Sequence, residues 1–376
     1  MQLSSLALTL VALATPITPV AATPQEWERI TPELELEFPR DHGAHPYHQT
    51  EWWYITGQLE TEGLAGAAPR QFGFQFTIFR RGLAPGWSAP GQSPAGGSPL
   101  RARQVFAGHL ALTDVAGDRT LFVERIRRAG SPLAHASDTD LELVLEDWTL
   151  SRDTNDRLQI VAGDAQEGLA IELELTPRKA LVLHGKGGYS SKGNEAGNAS
   201  AYTSWTRLET SGRVAIGGED ARVRGEAWFD HEYGTSVLEE GVSGWDWFGL
   251  HLEDGRELML FELRAGSEGA EGVAAGTLIE RDGSTRSLAP GDFTVESIDT
   301  WKSPDTAATY PAHWRVRVPS AGIAFEARPL VANCELKSDG STNVAYWEGP
   351  VVLEGTTPGR GYAELTGYAG SMEGRF

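Results

Sequence analysis

The chain has 376 residues, enough to bury one or two sizeable cores, and carries 52 acidic against 32 basic residues for a formal charge of -20. That balance excludes a nucleic-acid binder, which needs a basic face to neutralise phosphates, and no such face is visible in the sequence. A lone cysteine, Cys334, excludes an internal disulfide framework and reads as a small buried hydrophobe.

In chain order, Met1 to Ala22 hold no Asp, Glu, Lys or Arg, carry an apolar run from Leu6 to Ala14 and end in Val20-Ala21-Ala22. This is the pattern of a secretory signal peptide (residues 1–22) cleaved before Thr23. The run is too short to span a bilayer, and no cysteine stands at the cleavage point to take a lipid anchor. The expected location is periplasmic or secreted, with envelope transport components as candidate partners.

From Thr23 onward the chain is built of short alternating runs such as Leu34-Glu35-Leu36-Glu37-Phe38 and Leu169-Ala170-Ile171-Glu172-Leu173-Glu174-Leu175. Between them stand turn signals, among them Asp254-Gly255, Asp282-Gly283 and Asp339-Gly340. Many short antiparallel strands joined by tight turns predict an all-β sandwich or barrel. Ala84 to Pro99, Gly185 to Ser200 and Ala265 to Gly276 read as long rim loops. His42, His45 and His48 are spaced by three, but Gly43 and Pro46 oppose a helix, so no metal site and no cofactor are expected.

The densest chemistry lies in Trp228-Phe229-Asp230-His231-Glu232-Tyr233-Gly234 and in Gly244-Trp245-Asp246-Trp247-Phe248-Gly249-Leu250-His251-Leu252. As a strand, the second run puts Asp246, Phe248, Leu250 and Leu252 on one face and Trp245, Trp247, Gly249 and His251 on the other. An acid therefore ends an apolar row. An apolar lining raises a carboxyl pKa, which makes Asp246 a candidate proton donor. The competing reading is ordinary core with Asp246 at its wet end. For Asp230-His231-Glu232 it is a buried, hydrogen-bonded corner that fixes a strand end.

The two halves of the chain share a pattern. Trp52-Trp53-Tyr54-Ile55-Thr56-Gly57-Gln58-Leu59-Glu60 superposes without gaps on Trp245-Asp246-Trp247-Phe248-Gly249-Leu250-His251-Leu252-Glu253. Upstream, Phe38-Pro39-Arg40-Asp41-His42-Gly43 parallels Phe229-Asp230-His231-Glu232-Tyr233-Gly234, and downstream Phe79-Arg80 parallels Leu263-Arg264. A repeat this long predicts two related β-domains, residues 23–215 and 216–376.

These runs, with Glu51-Trp52-Trp53-Tyr54 and the closing Tyr346-Trp347-Glu348-Gly349 and Gly361-Tyr362-Ala363-Glu364-Leu365-Thr366-Gly367-Tyr368, resemble the AttH-like, lipocalin-like family related to carotenoid 1,2-hydratase (hydroxyneurosporene synthase). The resemblance covers nearly all of the chain after the leader. It implies two calycin-type antiparallel β-barrels and the handling of lipophilic or isoprenoid molecules. In the hydratase branch a His, an aromatic two residues on and a downstream Asp are implicated; here they fall on His231, Tyr233 and Asp246. Tyr233 stands where Trp is common in that family.

Hydration of an alkene needs an acid, a surface that tolerates a cation and a positioned water. Asp246 is the expected acid, and His231, oriented by Asp230 or Glu232, the group that takes a proton from water. Trp228, Trp245 and Trp247 are expected to stabilise the cation, and Trp52, Trp53, Tyr54 and His42 to line the ligand site from the first half. The expected function is binding of a lipophilic molecule with hydration or isomerisation. The alternatives are a non-catalytic lipid carrier or sensor, and an Asp–His hydrolase, which lacks any Gly-x-Ser-x-Gly elbow.

Overall fold

The computed structural model describes residues 26–62, 68–85, 102–130, 132–193, 197–235, 241–266 and 272–372. The expected signal peptide at 1–22, most of the 84–99 loop and residues 267–271 lie outside that set. Among the described residues no helix is long and apolar enough to cross a membrane.

The alternating runs form strands. The first half begins with β1 (Thr50–Thr61), β2 (Gln71–Gly82), β3 (Gln104–Asp114) and β4 (Arg119–Arg128), a four-strand meander. It continues through β5 (Ala134–Ala136), β6 (Glu142–Leu145), β7 (Trp148–Arg152), β8 (Leu158–Asp164), β9 (Leu169–Pro177), β10 (Val182–Leu183) and β11 (Tyr189–Ser191). Two long strands close it, β12 (Ala199–Ile216) and β13 (Glu219–Gly234). The second half contains β14 (Val242–Leu252), β15 (Glu257–Ala265), β16 (Val273–Ile279), β17 (Thr285–Leu288), β18 (Thr294–Lys302), β19 (Thr309–Val318), β20 (Ile323–Pro329), β21 (Glu335–Lys337), β22 (Ala345–Gly355) and β23 (Gly359–Leu365).

These strands make two curled, barrel-like antiparallel sheets, in the orders β4-β3-β2-β1-β13-β12-β9-β8-β7-β6-β5 and β17-β16-β15-β14-β23-β22-β20-β19-β18. In both, the first strand lies between the second and the last, and in both the next-to-last strand flanks the last. The register repeats as well: Trp52 lies opposite Phe79 and Trp245 opposite Leu263. The fold is the expected pair of lipocalin-like barrels related by internal duplication.

Three expectations are corrected. The division after residue 215 falls inside the end of β12, whereas the chain changes sheets between Gly234 and Val242, because β13 pairs with β1 and β12. Phe38 to Gly43 does not parallel Phe229 to Gly234: it contains a short 3-10 helix, Arg40–His42, and the counterpart of β13 in the second half is β23. The stretch 185–200 is not loop throughout, since it holds β11 and the start of β12, and β16 begins at Val273, inside the third expected loop.

Each barrel has its own core, Trp53, Ile55, Phe72, Phe74 and Phe76 in the first and Phe248, Leu250, Leu258, Trp314 and Trp347 in the second. A third cluster, including Tyr54, Tyr202, Trp228, Trp247, Phe261 and Tyr362, fills the junction. Because side chains alternate along a strand, β1 sends Trp53 and Ile55 inward and Trp52 and Tyr54 toward the other half. The strands at the junction are therefore buried on both faces, and polar groups such as Glu51, Asp230, His231 and Glu232 are buried with them. Gly57 is needed there: a Cβ would lie 2.5 Å from the Phe74 ring and 2.7 Å from the Glu226 carbonyl.

Polar links cross the junction too. The Gln58 amide donates to the Val351 and Gly361 carbonyls at 2.8 and 2.7 Å. Lys179 and Arg207, from the first half, reach the fully buried Glu257 at 2.7 and 2.5 Å.

Candidate functional site

A cavity of about 170 Å³ lies between the two sheets. Trp52, Phe79, Trp245, Trp247, Phe261 and Leu263 supply its apolar wall, and Asp230, Glu232, Glu348 and Glu364 bring four carboxyl groups to it. The duplication places equivalent positions around this space. Tyr54 lies opposite Asp230 across β1 and β13, and its counterpart Trp247 lies opposite Glu364 across β14 and β23. Ser204 in turn lies beside Asp230, as Glu348 lies beside Glu364. Asp230 and Glu364 are thus counterparts, as are Tyr202 and Tyr346 two residues before Ser204 and Glu348.

Asp230 is buried and accepts three hydrogen bonds. Tyr202 donates to its Oδ2 at 2.7 Å, Trp228 to its Oδ1 at 2.6 Å, and the Ser204 hydroxyl also donates to Oδ1. Burial nevertheless pushes its pKa up to about 7, the three donors offsetting only part of the desolvation. Behind it runs a chain with one consistent set of protons. Ser204 donates to Asp230, so it accepts from His184 Nε2 at 2.7 Å, and Thr277 donates to His184 Nδ1 at 2.8 Å. Burial lowers the His184 pKa to about 3, which keeps the ring neutral in this role.

The opposite wall holds Glu348 and Glu364, directly cross-strand from one another. Tyr54 donates to Glu348 Oε1 at 2.5 Å, and Oε2 has no partner. Burial, reinforced by the charge of Glu364, raises the Glu348 pKa well above the usual carboxylate range. Burial likewise brings Glu364 to about 7, although the Trp245 side chain donates to it. At the end formed by β12 and β13, Glu232 accepts from Ser200 and pairs with Lys192 at 2.7 Å. The Lys192 ammonium also lies 5.0 Å from the Tyr202 ring centroid and 4.4 Å from that of Phe261. His109 bridges Tyr346 and Ser341 at 2.8 and 2.9 Å, its pKa lowered by burial to about 3.

The expected site residues separate into three places. Asp230, Trp52, Tyr54, Trp245 and Trp247 line the cavity, and Trp228 stands behind it as a donor to Asp230. His231 and Tyr233 alternate with Asp230 on β13, so they face the first barrel's interior with Trp53. There Glu51 is fully buried. It accepts from Arg80 Nε at 2.7 Å, from His231 at 2.9 Å and from His45 at 2.8 Å, and His45 also meets Asp41 at 3.1 Å. Burial raises the Glu51 pKa, but Arg80, then His231 and His45, outweigh it and hold the group well below its usual range. His42 stacks on Trp205 with centroids 4.8 Å apart, on the same side of the sheet.

His231, Tyr233, His42 and Trp53 thus lie on the first-barrel side of the sheet and not on the cavity where catalytic or ligand-lining roles were expected; for His231 this is the buried corner that was the competing reading. His45, Glu51 and His231 place donor atoms within 4.8 Å of one another, as a metal site would, but a cation there would have to displace the Arg80 guanidinium from Glu51.

Asp246 lies on neither surface. It faces the second barrel, paired with Arg264 and accepting from Tyr368 at 3.0 Å. Burial raises its pKa to about 6 against the pull of Arg264, as expected for an acid in an apolar row. The row it joins is core, however, and the cavity is lined by the other face of β14, by Trp245 and Trp247.

Glu348, Glu364, Tyr202, Gln75 and Lys192 were not singled out from the sequence. The signal was present for two of them: Glu348 and Glu364 each stand inside an apolar and aromatic run, Tyr346-Trp347-Glu348 and Tyr362-Ala363-Glu364-Leu365. Carrying the duplication through to the last strand would have mapped Asp230 onto Glu364.

Fold and cavity together define a duplicated, lipocalin-like protein with a ligand-sized space between its two halves. The chain belongs to the AttH-like family, whose sequence model matches residues 29–368. It is similar in structure to an AttH-type protein of Nitrosomonas europaea, with 35% identity and a TM-score of 0.79 over 91% of this chain and 99% of that one. It shares its fold with kievitone hydratase from Nectria haematococca, at 14% identity and a TM-score of 0.64 over 92% and 98% of the two chains. CghA in complex with Sch210972 is a more distant neighbour, at 10% identity and a TM-score of 0.51 over 86% and 89%. The comparison with curated proteins gives no match.

Proposed function

We propose that the chain binds a lipophilic small molecule, isoprenoid or lipid-like, between its two halves and adds water to, or isomerises, a carbon–carbon double bond. One observation carries this reading. An aromatic-walled cavity holds carboxyl groups that burial keeps protonated near neutral pH, so a proton donor and a cation-tolerant surface share one space. Glu348, or Glu364 across the strand pair, gives its proton to one alkene carbon. The positive charge on the other carbon rests against the indole faces until water adds there. The carboxylate left behind takes the proton released by that water and is restored. Loss of a proton from a neighbouring carbon in place of water addition gives the isomer.

Asp230, with three donors on its oxygens, positions Tyr202 rather than delivering the proton. The leader read at residues 1–22 would place this chemistry in the periplasm or outside the cell, beside envelope transport components. That a hydratase is built on the same fold supports the reading.

The test is incubation of the mature protein with a lipid extract of its source in oxygen-18 water, with Glu348→Gln as control. A product heavier by one labelled water, absent with the variant, is expected for hydration, and an unlabelled product of unchanged mass for isomerisation. A lipid that co-purifies and never changes would leave a carrier, and labelled fragments a hydrolase.

A further inference from the structure

Resting on that reading, we infer that the cavity selects for positive charge: it takes a lipophilic ammonium more tightly than the alcohol of the same skeleton, and the carboxylate least. The charge inventory of the wall leads there. Four carboxyl groups face the space, and Lys192, which lines it, is already engaged by Glu232. Among the described residues Asp230, Glu348 and Glu364 have no basic side chain in an ion pair with them. A buried carboxyl without a partner either keeps its proton or, once ionised, needs a cation beside it, and among the described residues no basic side chain supplies one to these three.

Two acceptor atoms point the same way. Glu348 Oε2 and Gln75 Oε1 are buried without a hydrogen-bond partner, and both residues, each 1% exposed, line this cavity. An ammonium N–H would supply a donor that the wall lacks. The third observation is the aromatic lining, contributed by both halves: Trp52, Tyr202 and Phe79 from the first, Trp245, Trp247 and Phe261 from the second. Ring faces of this kind attract cations when water is excluded. Lys192, set over Tyr202 and Phe261, already holds an ammonium in that way at one end of the space. The pseudo-twofold arrangement puts Asp230 and Glu364 on opposite walls, so a charge at the centre meets a carboxyl from either half. An anionic ligand would add a fifth acidic group where four already compete. The same preference would stabilise a carbocation during turnover, so the ammonium acts as its stable mimic.

Three probes differing only in the head group decide it: dimethylfarnesylamine, farnesol and farnesoic acid, titrated into the full-length mature protein by tryptophan fluorescence and calorimetry at pH 8 and pH 6. The amine is expected to bind roughly tenfold or more tightly than the alcohol, the equivalent of about 1.4 kcal/mol, with the acid weakest. The gap should narrow at pH 6, where Asp230 and Glu364 take up protons; Glu348, Glu232, Lys192, His109 and the Tyr54, Tyr202 and Tyr346 hydroxyls share the space with them. In the Glu348→Gln, Glu364→Gln double variant the amine should lose its advantage while the alcohol still binds, which also shows that the variant is folded. Equal binding of amine and alcohol, or tightest binding of the acid, would overturn the charge preference and leave the lipophilic site standing. Binding of none of the three would overturn both.

Discussion

A carboxyl group enclosed by indole rings can ionise and pull in a cation, or keep its proton; in this cavity Asp230, Glu348 and Glu364 are all pushed toward keeping it. That choice is visible as a pH dependence of stability. Glu364 titrates near 7 in the folded chain against an ordinary 4.5, so the folded state holds its proton where the unfolded chain has lost it. Its favourable contribution is complete below about pH 4.5 and is lost as pH rises through 7. Glu364→Gln, which stays neutral, should flatten the fall in the urea midpoint between pH 4.5 and 7; an unchanged slope would show that Glu364 is ionised throughout. Glu51 runs the other way: held low by Arg80, it stabilises the fold above the usual carboxylate range and ceases to do so in acid.

At the scale of the element, strand β13 carries two chemistries on its two faces. Asp230 and Glu232 look across the junction, and His231 and Tyr233 look into the first barrel, a separation imposed by the two-residue period of a strand. The inner set is an ion-pair corner tying β1, β2 and β13 to the segment around His45. Removing one partner leaves the other charge buried and alone, so Arg80→Ala should lower stability by about 3–5 kcal/mol in equilibrium urea unfolding. A loss below about 1 kcal/mol would mean that Glu51 finds another partner or takes a proton. Because this corner lies on the far face of the sheet, the amine and alcohol affinities of the folded variant should stay at their parental values.

For the whole molecule, the two barrels are one functional unit, since neither lines the cavity alone. Their union depends on buried polar joints as well as on the third apolar cluster. Glu257 receives both Lys179 and Arg207 from the first half. Glu257→Gln leaves those two cations facing a neutral amide at the junction, at a cost of about 3–5 kcal/mol. Calorimetry should then show the thermal transition separating into two, one for each barrel, with the ligand-dependent shift confined to the first. One undivided transition at the parental temperature would show that the apolar cluster alone holds the halves together.

Much of this was legible from the chain alone. The alternation of apolar and polar residues determined an all-β fold, the repeat of Trp52–Glu60 in Trp245–Glu253 determined that it is duplicated, and the face assignment along β14 followed from the strand period. Family membership was likewise carried by motif runs within the sequence. What only the tertiary structure decided is which face of each motif strand looks at the ligand space. Period two says that Asp246 and Trp247 part company, and that Asp230 and His231 do so as well, but both faces of these strands are buried, so hydrophobicity cannot tell barrel core from junction. The choice was made by docking one curled sheet against the other. It turned Trp245, Trp247 and Asp230 toward a shared space, left Asp246 and His231 in separate interiors, and brought Glu348 and Glu364 from the far end of the chain to complete the wall.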